Sequence, residues 1–318
     1  MNRILIEESE ISDGVAVFGG ARAEHVAKIL KCGPGDVVKT GVVNGKSGTS
    51  EIISVEENGG EFRVTARTDH REESLGPWID IILAPPRPRA LKRLLPQLAA
   101  MGAGRIVLAG AEKTEKDFWG ATLLKEENWR PLLIDGLMQA GTTALPEIET
   151  RRSLARFVAD GSLDAMFPSS LRIVAHPDAA ASAAARRGGA RPLLAIGPEG
   201  GWTDREVEML ENNGFGRFSL GPRILKTETA AIALLAVLEK ELRQGQISAS
   251  FSIQNRSRPQ PPRAAPSSSS PPPAPERRAL SCTGWRISSR TASRPSRYFF
   301  SLSRTRPRRK CSNAPKSS

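Results

Sequence analysis

Along residues 1–72 the apolar positions fall in short stretches, Arg3–Ile6, Val15–Phe18, Val37–Val43, Ser50–Glu56 and Glu61–Arg67, rich in β-branched residues or alternating apolar with polar. An apolar residue at every second position places one face of an extended chain against a core, so these stretches predict strands. Gly33-Pro34-Gly35, Asn44-Gly45 and Gly59-Gly60 punctuate them with turn chemistry. One stretch breaks the rule. In Ala23–Lys31, Val26, Ile29 and Leu30 sit at helical spacing, and Gly33 is placed to end that helix. A small β-barrel over residues 1–72 is the architecture this pattern predicts.

From residue 77 the period changes. Ile79–Leu83, Arg105–Leu108, Arg172–Ala175, Leu193–Ile196 and Phe215–Leu220 are short apolar runs of buried-strand type, and between them lie helical patterns such as Leu91–Met101 and Trp129–Gln139. Strands alternating with helices predict an α/β unit over residues 73–245, built on a parallel sheet covered on both faces. Pro96, inside the first of these helices, is expected to kink or restart it, because proline lacks the amide donor and crowds the preceding turn. An almost wholly apolar helix over about 228–242 is expected to be buried, either inside the unit or against a second copy of the chain.

Past Gly245 the pattern dissolves into Ser, Pro and Arg, and residues 246–318 are expected to be a disordered basic tail. The tail changes the meaning of the charge. The chain carries a net +12, with 46 Lys and Arg against 34 Asp and Glu. The tail holds 15 of the basic residues and one acid, Glu276, so it contributes +14 and residues 1–245 carry −2. A nucleic-acid surface on the folded part must therefore be a local patch, and the tail is read either as an RNA-contacting arm or as an extension without function. Three cysteines and three histidines lack metal-ligand spacing, so no metal is expected. No run of ~18 apolar residues is present, so no membrane span is expected. Met1-Asn2-Arg3 leads straight into Ile4-Leu5-Ile6 without a clear leader or transit segment, and a cytoplasmic protein is expected, organellar residence remaining open.

Two segments carry candidate chemistry. In Leu193–Glu206 an apolar strand ends in Gly197-Pro198-Glu199-Gly200-Gly201, after which Thr203 and Glu206 form a capping box that opens a helix. In Phe218–Ala231 a strand ends in Gly221-Pro222 before the apolar helix. Glycines at the carboxyl end of a parallel strand let a ligand approach the backbone, and a side chain at Gly200 is expected to intrude on that ligand. Neither loop has the Gly-Lys-Ser/Thr ending of a phosphate loop. Alone, each Gly-Pro turn reads as ordinary strand-to-helix punctuation.

Together, with the Glu206–Gly214 helix between them, the two segments resemble those of the bacterial-type 16S ribosomal RNA (uridine-N3) methyltransferases of the SPOUT superfamily. His25–Leu30 with Gly33-Pro34-Gly35-Asp36 resembles that family's PUA-like N-terminal domain. Pro86–Arg89, Glu115-Lys116 with Trp119, Gln139-Ala140 with Leu145-Pro146-Glu147, and Ala175-His176-Pro177 also match, so the similarity covers about 1–242. It implies an N-terminal PUA-like β-barrel, a SPOUT α/β domain with a C-terminal deep trefoil knot, and a homodimer through the knotted domain. It implies S-adenosylmethionine as cofactor, held by Ala175, His176, Pro177, Ile196, Gly197, Pro198, Glu199, Gly200, Gly201, Leu220, Gly221, Ile224, Leu225 and Thr229. The partner it implies is ribosomal RNA of the small subunit, contacted through His25, Lys28, Arg87, Arg89 and Lys92.

Uridine N3 is a poor nucleophile until it loses its proton, so the site needs a base or cations that favour the anion. Arg223 and Lys226 are the candidate cations, and Glu228 and Glu199 the candidate bases. Either carboxylate also reads as a helix-start residue satisfying free amides. His176 reads as a wall of the ligand loop, and His25 as a barrel support or an RNA contact. Two departures from the family pattern, Met138 in place of Glu and Gly141 or Thr142 in place of Arg, bear on RNA contacts or on the target nucleotide. Two other functions stay open: a PUA and SPOUT RNA-binding protein impaired in catalysis, and methylation of another RNA atom such as a ribose 2′-OH.

Overall fold

A computed structural model of the chain describes residues 2–168, 170–177 and 191–256. The expected tail therefore lies outside the described residues from 257 onward. Among the described residues no helix is long and apolar enough to cross a membrane.

The alternating pattern of the N-terminal region builds strands β1 (Ile4–Ile6), β2 (Ile11–Ser12), β3 (Val15–Gly19), β4 (Val37–Val42), β5 (Ser47–Asn58) and β6 (Glu61–Glu72). They form one sheet in the order β1-β4-β5-β6-β3-β2. Every pairing is antiparallel except β1 with β4. Ile4, Ile6, Phe18, Val38, Ile52 and Val64 point into a shared apolar cluster. β5 and β6 extend beyond the stretches read from pattern, because residues 67–72 are polar on both faces and carry no alternation. The expected helix over 23–31 splits into α1 (Gly20–Glu24) and a π-helical turn, His25–Leu30. Its stop is Lys31, which takes the left-handed conformation at φ 55°, and not Gly33.

The second region comprises β7 (Ile79–Leu83), α2 (Pro88–Ala100), β8 (Ala103–Ala109), α3 (Glu126–Ala140), β9 (Glu147–Arg151), α4 (Leu154–Ala159), α5 (Ser162–Met166), β10 (Arg172–Ala175), β11 (Leu193–Ile196), α6 (Asp204–Asn212), β12 (Gly216–Phe218) and α7 (Thr227–Arg256). Its strands form an all-parallel sheet in the order β12-β10-β11-β7-β8-β9. Both faces are covered, as the apolar runs require. Ile79, Ile81, Leu83, Leu194 and Ile196 pack on one side with α2, α3 and α7, while Ile82, Val107, Val174 and Ala195 pack on the other with α4 and α6.

Two expectations are corrected here, at Pro96 and past Gly245. Pro96 does not interrupt α2, which runs unbroken over Pro88–Ala100. At that level α3 crosses so closely that a Cβ added to Gly136 would overlap the carbonyl oxygen of Pro96. In the single chain, α7 turns Ala231, Leu234, Leu235 and Leu238 inward and leaves Ile232 exposed. It also runs past Gly245 to Arg256, since one glycine costs a helix only about 1 kcal/mol.

The two sheets belong to one compact unit and are joined by polar contacts. The Asn2 and Arg3 amides donate to the Met138 carbonyl at 3.0 and 3.1 Å, and Arg3 Nε donates to the Gly141 carbonyl at 3.1 Å. Arg130 forms a two-pronged pair with Glu7 at 2.8 and 3.0 Å. Met138 itself is 3% exposed and shares the main apolar cluster with Leu5. The departures at positions 138 and 141 thus sit in the joint between the two sheets.

Candidate active site

The order of the parallel sheet locates the site. The chain enters at β7, builds outward through β8 and β9, then crosses to build the other half through β10, β11 and β12. The direction of winding reverses between β7 and β11, and loops at the carboxyl ends of strands flanking such a reversal diverge and leave a crevice. A cavity of about 450 Å3 lies beside that reversal, on the β11 side, walled by the loops after β10, β11 and β12 and by the first turns of α7.

Every residue expected to hold the cofactor lines this cavity except Thr229. Thr229 is exposed on α7, and the lining threonine is Thr227, which is 5% exposed and donates from Oγ1 to the Gly197 carbonyl at 3.4 Å. Trp202, Phe218, Ser219, Ala230 and Leu234 complete the wall and were not singled out from sequence. Ser219 ties two of the loops together: its hydroxyl donates to the Pro177 carbonyl at 2.9 Å and accepts from the Gly221 amide at 3.0 Å. Gly221 takes φ 108° with nothing within 4 Å of a built Cβ. The conformation excludes ordinary side chains, and the empty space beside it is open to a ligand. Gly200 differs from expectation, since an added Cβ would meet the Lys113 side chain at 3.2 Å, on the side of the loop after β8.

The glycine loop is held from behind by Glu206. This 5% exposed carboxylate accepts from the Thr203 amide at 2.9 Å within the capping box and from the Glu112 amide at 2.8 Å. One side chain thereby links the loop after β11 to the loop after β8. Lys113 adds a second link, donating to the Gly200 carbonyl at 3.0 Å.

Of the candidate catalytic groups, Arg223 lines the cavity, whereas Lys226 and Glu228 do not. Lys226 is exposed, and Glu228 pairs with Arg93 at 3.0 Å, as a helix-start carboxylate. Glu199 lines the cavity and lies 3.7 Å from Arg87 Nε. Arg87 donates to Glu115 at 3.1 Å, and that bond, followed by the nearby Glu115 and Glu199 charges, holds its guanidinium further above its usual range. Arg89 and Lys92 are exposed at the start of α2. His25 and Lys28 lie in the N-terminal sheet region: Lys28 pairs with Glu24 at 2.9 Å over the Phe62 ring, and His25 Nε2 is buried without a hydrogen-bond partner.

Comparison with known proteins agrees with this geometry. Residues 72–239 match the family model described as the RNA methyltransferase domain. The ribosomal RNA small subunit methyltransferase E of Treponema pallidum (strain Nichols) is 32% identical over 243 residues, covering 75% of this chain and 90% of that protein. Its counterpart from Borreliella burgdorferi, ribosomal RNA small subunit methyltransferase E 1, is 25% identical over 245 residues, covering 76% and 99%. Among solved structures, a Legionella pneumophila methyltransferase in complex with bound SAM matches with a TM-score of 0.61 at 25% identity, over 76% of this chain and 97% of that one. By sequence match over most of its described length and by fold, the chain belongs to the RNA methyltransferase family, among the ribosomal RNA small subunit methyltransferases E.

Proposed function

We propose that the cavity binds S-adenosylmethionine and that the protein methylates N3 of a uridine in small-subunit ribosomal RNA. The observation that carries this reading is the convergence of the loops after β10, β11 and β12 on one cavity, with Gly221 in a left-handed conformation beside open space. The residues fit the group. Leu220, Ile224 and Leu225 offer an apolar bed for a flat adenine, the glycine loops offer backbone groups to its polar edges, and about 450 Å3 falls in the range of small-molecule sites. When bound, S-adenosylmethionine supplies an electrophilic methyl group on a sulfonium, so the protein need only present a nucleophile in line with it.

The work left to the chain is orientation and proton control. Ser219 sets the relative positions of the loops after β10 and β12, and Glu206 those after β11 and β8. Arg223, on the wall of the cavity, is the cation placed to stabilise a uridine anion or hold its phosphate. The family resemblance supports three further parts of the reading: a trefoil knot in the cavity loops, a PUA-like RNA-binding role for the N-terminal sheet, and a dimer through α7. The exposed Ile232 gives that helix an outward apolar position for a second copy.

Isothermal titration with S-adenosylmethionine, paired with tritium transfer to small ribosomal subunits lacking the modification, tests the proposal. Binding with transfer is the expected result. Binding of RNA without cofactor binding or transfer would leave an RNA-binding protein instead.

A further inference from the structure

A second cavity of about 320 Å3 opens beside the first, and Pro198, Glu199 and Gly200 line both. Its remaining walls come from the loop after β7, with Pro85, Pro86 and Arg87, and from the loop after β8, with Lys113, Thr114 and Glu115. Phe118 closes it as a buried apolar wall. β7 lies between β8 and β11 in the sheet, so these loops meet where the first cavity ends.

The chemistry of the walls limits the occupant. Two cations, Arg87 and Lys113, are balanced by two carboxylates, Glu115 and Glu199. A phosphate would meet repulsion from both carboxylates, whereas a neutral ring with donors and acceptors on its edge meets complementary groups. A pyrimidine such as uracil has two carbonyl oxygens for the cations, one N3–H for a carboxylate, and a flat face for Phe118 and the prolines. The present partners are cheap to displace: the Arg87 pairs with Glu115 and Glu199 involve exposed side chains, and exposed ion pairs are worth at most about 1 kcal/mol.

Resting on the reading of the first cavity as the methyl-donor site, we propose that the second cavity receives the target uracil, turned out of its RNA, with Glu199 on the shared wall facing N3. N3 gives its proton to the Glu199 carboxylate. The electron pair left on nitrogen forms the new bond to the methyl carbon as the carbon–sulfur bond breaks, and that bond's pair stays on sulfur, leaving a neutral thioether. The proton on Glu199 then passes to water.

The test uses the full chain and two variants, Glu199→Gln and Lys113→Met, with S-adenosylhomocysteine affinity as a check on the first cavity. Turnover is compared at donor concentrations that saturate each protein, so that a change in that affinity does not enter kcat. Glu199→Gln lowers kcat at neutral pH by at least 100-fold, and the deficit narrows as pH is raised and uridine ionises unaided. A deficit of the same size at every pH, or none, overturns the role of Glu199. With S-adenosylhomocysteine present, uridine 5′-monophosphate shifts the amide resonances of Lys113 and Thr114, and Lys113→Met weakens this binding at least tenfold. Shifts confined to other loops, or no binding, overturn the location. A wild-type protein that transfers no methyl group to any RNA would instead sink the underlying reading of the first cavity.

Discussion

At the scale of single residues, Arg223 and Gly221 bear most directly on the proposed chemistry. Arg223 lines the cavity from a loop whose backbone is fixed by Ser219 and Pro222, so its side chain can serve the RNA without carrying the cofactor. Arg223→Ala is therefore expected to leave S-adenosylmethionine affinity within a few-fold while turnover falls roughly 100-fold, the scale of losing a transition-state charge partner. Arg223→Lys should recover only part, because a point charge does not reproduce a planar fork. Near-normal turnover in Arg223→Ala would make it a surface arginine. Gly221→Val has the opposite signature: it strains a φ of 108° and fills the space beside it, so cofactor affinity should collapse in a titration while the melting temperature moves little. The Gly-Pro turns at the strand ends were legible in the sequence because turn chemistry is local, whereas the cofactor residues on them came from the family resemblance. Thr227 was mistaken for Thr229 because the phase of α7 is set by packing Ala231, Leu234 and Leu235 into the core, which no local signal reports. Lys113 and Glu115 escaped notice as site residues because they are brought to Glu199 and Gly200 only by the pairing of β8 with β7 and of β7 with β11.

At the scale of elements, apolar period identified strands with one or both faces buried and missed those with neither. β7, β10 and β11 were bounded from sequence as the structure has them, whereas β9 (Glu147–Arg151), a largely polar edge strand with no fully buried residue, gave no signal. The short helices α4 and α5 are too brief for a helical period to register. The crossing of α2 and α3 explains why position 136 is glycine. There the helices approach backbone to backbone, and any side chain at 136 must push them apart. Gly136→Ala, which raises intrinsic helix propensity, is nonetheless expected to destabilise by about 1–3 kcal/mol through overpacking. Equilibrium urea unfolding gives the sign directly, and a gain in stability would mean that the crossing relaxes freely.

At the scale of the whole molecule, the two sheets are tied into one unit by Arg3, Glu7 and the turn after α3, contacts between positions more than a hundred residues apart that no sequence period encodes. Buried beside this joint is a hydrogen-bonded chain in which Thr40 Oγ1 lies 2.7 Å from His70 Nε2 and 2.6 Å from Ser50 Oγ. Burial, and then the nearby Arg3 charge, lower the pKa of His70 below its ordinary 6.5, against a smaller opposing pull from Asp69. The unfolded chain therefore binds the proton more readily, so the stability His70 contributes is fully present above pH 6.5 and is lost as pH falls through the window below it. Glu10 adds a separate loss only at lower pH: burial raises its pKa, but the Arg22 hydrogen bond, the Glu7 amide and the Arg22 charge together outweigh that and hold it below 4.5. Urea midpoints at pH 7.5 and 5.5 should fall more for the wild type than for His70→Asn; equal falls would remove His70 from the account. The net +12 of the chain is likewise a whole-molecule quantity whose excess falls in residues 246–318, so the RNA specificity proposed here must come from the local cations around the two cavities. The central claim is that those cavities join a methyl donor to uridine N3. The most direct measurement is mass spectrometry of nucleosides from small-subunit ribosomal RNA incubated with the purified protein and isotope-labelled S-adenosylmethionine. Label in 3-methyluridine alone is the expected result, and label in a 2′-O-methylated nucleoside, or in none, would contradict that claim.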